Sequence, residues 1–87
     1  MGVKYVLFVG GGKDDDEAVR IVKKALGSEL VVIDVRKDGV RGWMLWEYGT
    51  DETPLLTSPY GVFYGLKAIR SFVNRVKGAN VGARVGL

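Results

Sequence analysis

The chain predicts an α/β domain with a four-stranded mixed sheet, and three observations carry that prediction. Two apolar runs, Lys4–Val9 and Leu30–Ile33, flank a stretch whose apolar residues recur at helical spacing. Two shorter runs, one led by Thr53-Pro54 and the other Val62-Phe63-Tyr64, bracket the turn chemistry of Ser58-Pro59-Tyr60-Gly61. A second amphipathic stretch begins at Leu66. Read in order, these give β-α-β, a short helix, then β-β-α.

The first strand, Lys4–Val9, mixes aromatic and β-branched residues without clean alternation, the pattern of a strand buried on both faces. Gly10-Gly11-Gly12 releases the chain from it, and Asp14 or Asp15 is suited to cap the helix that follows. Asp14, Asp15, Asp16 and Glu17 favour the positive end of that helix. Ala18, Ile21, Val22, Ala25 and Leu26 fall on one face, with Arg20, Lys23 and Lys24 outside it and Gly27 as the C-cap. The second strand lies within Glu29–Val35, and a strand-helix-strand unit of this kind pairs in parallel. Lys37-Asp38-Gly39 marks a turn before Val40–Tyr48, where Trp43, Met44, Leu45, Trp46 and Tyr48 form a dense apolar and aromatic cluster, read as a short helix. Thr53–Thr57 and Val62–Tyr64 then form an antiparallel hairpin ended by Gly65. The last helix is expected over Leu66–Val76, turning Leu66, Ile69, Phe72, Val73 and Val76 inward. Residues 1–77 are read as one domain and 78–87, with three glycines, as a flexible tail.

Composition excludes more chemistry than it suggests. Of 87 residues none is cysteine or histidine, which removes disulfides, thiolate nucleophiles, cysteine-rich zinc sites and the commonest neutral-pH acid-base group. The apolar runs are too short to cross a membrane and lack a signal-peptide pattern, so an intracellular, cytoplasmic protein is expected. The net charge of +3 hides an asymmetry, because all ten acidic residues lie before residue 53 while five basic residues follow it.

The order of elements, with Thr53-Pro54 leading into Leu55-Leu56, a glycine-containing hairpin and Gly65 before the last helix, resembles the thioredoxin-like superfamily, especially its compact glutaredoxin-like members. The resemblance covers roughly residues 4–77. It implies a cis Thr53-Pro54 bond beside the redox site, and it places Lys13 and Asp16 about where the family's two cysteines stand. Neither residue can carry out thiol-disulfide exchange, which needs a sulfur nucleophile and a sulfur leaving group. The resemblance therefore carries the scaffold forward without the oxidoreductase activity. It leaves a groove at Gly12, Lys13, Asp16, Thr53 and Pro54 that could accept a ligand or an extended peptide.

Other readings of the same residues compete. Gly10-Gly11-Gly12-Lys13 invites comparison with a phosphate cradle, but the full GxxxxGK[ST] pattern is missing and three aspartates follow, so a turn and helix start accounts for it. The carboxylates of residues 14–17 have no calcium-loop spacing, and neither a metal nor an organic cofactor is expected. Trp43, Trp46 and Tyr48 suit either packing on the sheet or an interface. Lys67, Arg70 and Lys77 suit either a solvated helix face or an anionic partner, with Tyr60 or Tyr64 available to stack a base. No nucleic-acid-binding signature accompanies them, and nucleic acid is not the favoured partner. The leading expectation is a redox-inactive protein acting by association with itself, as a homodimer, or with another protein. The alternatives are a carboxylate-dependent enzyme and a weak nucleic-acid binder.

Overall fold

The structure, a computed structural model, describes the backbone of residues 4–85 and the side chains of residues 4–77. Its elements are β1 (Tyr5–Val9), α1 (Lys13–Leu26), a 3-10 turn over Gly27–Glu29, β2 (Leu30–Asp34), α2 (Val40–Tyr48), β3 (Leu55–Ser58), β4 (Gly61–Tyr64) and α3 (Gly65–Val85). The sheet runs in the order β2-β1-β3-β4. β1 and β2 are parallel, joined through α1, while β3 is antiparallel to both β1 and β4. This is an α/β fold with a four-stranded mixed sheet.

Strand alternation divides the core into two layers. Tyr5, Leu7 and Leu56 turn to one side, where Ala18 and Val22 of α1 and Ile69, Phe72 and Val73 of α3 pack on them. Phe8 and Leu55 turn to the other side, where α2 supplies Met44 and Val35 joins from beyond the end of β2. Each fully buried side chain of this size contributes about 1.5–3 kcal/mol relative to exposure. One face is thus covered by two long helices and the other by a single helix of nine residues.

Three features correct the sequence reading or choose between its alternatives. The N-cap of α1 is Gly12 rather than Asp14 or Asp15, and Asp15, at the third helical position, reaches back to accept a hydrogen bond from the Gly12 N–H at 2.9 Å. The second point is in α2, where Met44 covers the sheet and, of the two readings open to the tryptophans, Trp43 leans on Phe8 while Trp46 is turned outward. Finally, α3 continues to Val85 instead of stopping near Val76, so the backbone of residues 78–85 is helical where a tail was expected. A glycine lowers helix propensity by about 1 kcal/mol but does not forbid a helix, and no proline interrupts the segment. Residues 86–87 lie outside the described residues. Among the described residues, no helix is long and apolar enough to cross a membrane.

Candidate functional site

Two regions gather the residues singled out in the sequence. The first is the junction of the β1–α1 loop with the start of β3. The Thr53-Pro54 bond is cis, and Pro54 is buried with its C=O accepting from the Gly65 N–H at 2.9 Å. Thr53, half-buried, donates through Oγ1 to Asp15 Oδ2 at 3.2 Å, tying the hairpin to the first turn of α1. Asp15 is the sole charged residue in the core of the described residues, and its Oδ1 is buried without a hydrogen-bond partner.

Arginines close the loop from outside. A Cβ at Gly11 would stand 2.6 Å from Arg36 Nη1, and Gly11 has φ +92°, so both the close approach and the left-handed backbone call for glycine. Arg36 is fixed there by Asp34, donating to Oδ1 from Nε at 2.9 Å and to Oδ2 from Nη2 at 2.7 Å, while its backbone N–H also reaches Oδ1 at 2.8 Å. The Arg36 guanidinium, followed by that backbone N–H, holds the Asp34 carboxyl down at about 2, so the pair stays charged across the neutral range. Arg41 donates to the Asp51 C=O at 3.3 Å and pairs with its carboxylate at 3.8 Å. A Cβ at Gly10 would lie 3.0 Å from Thr53 Oγ1 and 3.5 Å from Arg41 Nη2. The space beside Gly10 and Gly11 is therefore taken by Thr53, Arg41 and Arg36, and both flanking arginines are matched to acids.

Of the expected groove residues, Gly12 and Thr53 are brought together, and the group that links them is the carboxylate of Asp15. Lys13 and Asp16 are exposed, as are Lys67, Arg70 and Lys77 on α3. Arg70 is bound to Glu17 at 3.2 Å, and Glu17 also pairs with Arg20, whose hydrogen bond is the main cause that lowers the Glu17 carboxyl below its usual range. The cationic stripe of α3 is thus partly neutralised by α1. The part played by Asp15 was missed in the sequence, although its spacing three residues after the glycine that opens the helix is the signal that would have found it. Arg36 and Arg41 were missed because nothing local announces that β2 and α2 bring them back over the glycines.

The second region is α2. Met44 is fully buried, and Val40 and Tyr48, four residues to either side of it, are half-buried on the same stripe. Tyr48 meets Phe8 and Trp43 edge-on, with ring centroids 5.8 and 5.6 Å apart. Burial, with Glu47 nearby, raises its phenol above the usual range. Trp43 keeps 47% of its surface exposed while leaning on Phe8 at 5.8 Å. Leu45 is 52% exposed and Trp46 81%. Val31 and Tyr64, on the strands beneath and turned to the same side as Val6 and Leu55, are also exposed.

No protein-family model matches this chain, and no curated protein matches it in sequence.

The chemistry open to these regions follows from the residues alone. Thiol-disulfide exchange is excluded, since the sequence has no cysteine. Among the described residues, no group of three potential metal-ligating side chains comes together. A cleft of about 770 Å³ lies away from the loop, between Tyr5, Phe63, Phe72 and Arg75. It carries Ser28 and Glu29 on its wall but no histidine to activate a nucleophile. What remains is a glycine loop crowded by Arg36, Arg41 and Thr53, and an apolar helix side turned outward.

Proposed function

We propose that the protein is a redox-inactive, glutaredoxin-like member of the thioredoxin-like superfamily that acts by protein association. In this reading it is a homodimer whose α2 surface receives a protein partner. The scaffold reading is supported by the parallel β1-α1-β2 unit, the β3-β4 hairpin and the contact of Thr53 with the first turn of α1. The observation that carries the functional reading is the outward side of α2, where Trp43, Leu45 and Trp46 stand exposed on the one helix covering that face of the sheet. Tryptophan is among the residues most enriched at interface hot spots, and an exposed apolar patch of this kind marks an interaction site. Tyr48, bound into the core of the aromatic cluster, supports Trp43 from behind rather than reaching a partner. Catalysis by the carboxylates finds no support of this kind, because Asp15 is buried and its Oδ2 is taken up by the Gly12 N–H and the Thr53 hydroxyl.

Selection from a random peptide library tests the reading. Peptides retained by the wild type are expected to carry apolar anchors, and to bind at least about 10-fold more weakly to a Leu45→Ser, Trp46→Ser double variant. Both side chains are exposed, so the fold is expected to survive these changes. Peptides that bind both proteins equally, or that shift the amide signals of Thr53 and Gly12 instead of those of α2, would contradict it.

A further inference from the structure

We propose that β2 is the self-pairing edge of this protein: two copies join antiparallel with Val32 opposite Val32, forming one continuous sheet. The proposal rests on the homodimer half of the proposed function and names its contact.

The backbone of β2 is where the inference starts. β2 is an edge strand of the sheet. The Val35 N–H donates to the Val9 C=O at 2.8 Å, and strand alternation then turns the backbone groups of Val31 and Ile33 toward β1 as well. Those of Leu30, Val32 and Asp34 face outward. Two of these outward groups are already occupied. The Leu30 N–H donates to the Gly27 C=O, closing the 3-10 turn, and the Asp34 C=O accepts from the Lys37 N–H at 3.3 Å. Among the described residues, the Leu30 C=O, both backbone groups of Val32 and the Asp34 N–H are left without partners.

That set is self-complementary about one axis. With a two-fold axis at Val32, the Val32 N–H of each copy donates to the Val32 C=O of the other, and the Asp34 N–H of each donates to the Leu30 C=O of the other. The two occupied groups, Leu30 N–H and Asp34 C=O, fall opposite each other, so every open group is used and none of the occupied ones is required. Centring the axis on Val31 or on Ile33 instead sets an occupied group against an open one in each copy. A contact of this kind is isologous and closes, as most homo-oligomers do.

Side chains and charge agree with that register. Val31 and Val32 are 38% and 39% exposed on opposite faces of the sheet. Pairing sets Val32 beside Val32 on the side of α1 and α3, and Val31 beside Ile33 on the side of α2, β-branched pairs that suit cross-strand contact. β2 contains neither the lysine nor the proline with which edge strands commonly avoid such pairing. Glu29, paired with Lys4, stands just before the strand, and Arg36, paired with Asp34, and Lys37 just after it, so an antiparallel partner adds Lys37 to the side of Glu29 and sets no like charges face to face. The axis stands perpendicular to the sheet, so both α2 helices lie on the same face, and the dimer offers two partner-binding surfaces side by side.

Amide exchange measured with solution mass, on the full chain over a range of concentration, tests the pairing. The Val31 and Ile33 amides, bonded to β1, are expected to exchange slowly at every concentration. Those of Val32 and Asp34 are expected to exchange fast in the monomer and slow in step with dimer formation. Val32→Pro removes an N–H that points away from β1, which an edge strand tolerates, and Val32→Lys sets two like charges face to face. Each is expected to weaken association by about 10-fold or more while keeping the wild-type circular dichroism. Should either variant unfold, the exchange pattern of the wild type decides. A dimer in which Val32 and Asp34 stay fast, or folded variants that dimerise as the wild type does, would overturn the edge pairing and leave the homodimer standing on another contact. A wild type that remains monomeric throughout overturns both, while the peptide selection still judges the α2 surface separately.

Discussion

Met44→Ala is expected to cost about 2–5 kcal/mol of folding stability, the range for truncating a large buried side chain to alanine. Met44 is fully buried and is the one side chain of α2 that is. It enters the layer formed by Phe8, Val35 and Leu55, so its removal leaves a cavity beneath a helix otherwise held by the half-buried Val40 and Tyr48 and by Trp43 against Phe8. The loss should therefore be local before it is global. In a denaturant titration of the variant, tryptophan fluorescence from α2 is expected to change ahead of the circular dichroism of the whole chain. Leu56→Ala provides the comparison. Leu56 is equally buried but lies between two long helices and the central strands, so its loss should lower stability by a similar amount with both signals moving together. A Met44→Ala cost below about 1 kcal/mol, or coincident transitions in that variant, would show that α2 is held by something other than this side chain.

The next largest effect is expected at Asp15. Asp15→Ala removes the acceptor for both the Gly12 N–H and the Thr53 hydroxyl, and is expected to destabilise by about 1–3 kcal/mol. Asp15→Asn keeps one oxygen for these donors and is expected to cost less than the alanine change. A double-mutant cycle with Thr53→Val measures how far the two elements are coupled. Because the residues share a hydrogen bond, the coupling is expected to be about 0.5 kcal/mol or more, and additive effects would contradict the link between the hairpin and α1. The wild type also buries Asp15 Oδ1 without a partner, which works against the gain from Oδ2 and keeps the expected loss toward the lower end of the range.

Much of the architecture could be read from residues because local and tertiary demands agree. In α1 the apolar positions fall on a single stripe, and Ala18 and Val22 are where that stripe meets the sheet. In α2 residue size left packing and interface both open for the tryptophans. A nine-residue helix buries one stripe, and Val40, Met44 and Tyr48 at intervals of four define it. Trp46 lies two residues from Met44, about 200° round the helix axis, and cannot share that stripe. Residue size does not tell these positions apart, and periodicity does. The run Leu30-Val31-Val32-Ile33 reads as a strand, but its place at the edge follows from the strand order, which no single segment encodes. The loop was the least legible part. Arg36 and Arg41 reach the glycines from beyond β2 and from within α2, so their approach exists only once the sheet and α2 are in place.

The central claim, that the protein works by association and forms a homodimer, is tested most directly by sedimentation equilibrium of the full chain from micromolar to millimolar concentration. The account predicts a reversible rise from the 9.5 kDa monomer to twice that mass, with no larger species. A mass of 9.5 kDa at every concentration would contradict it.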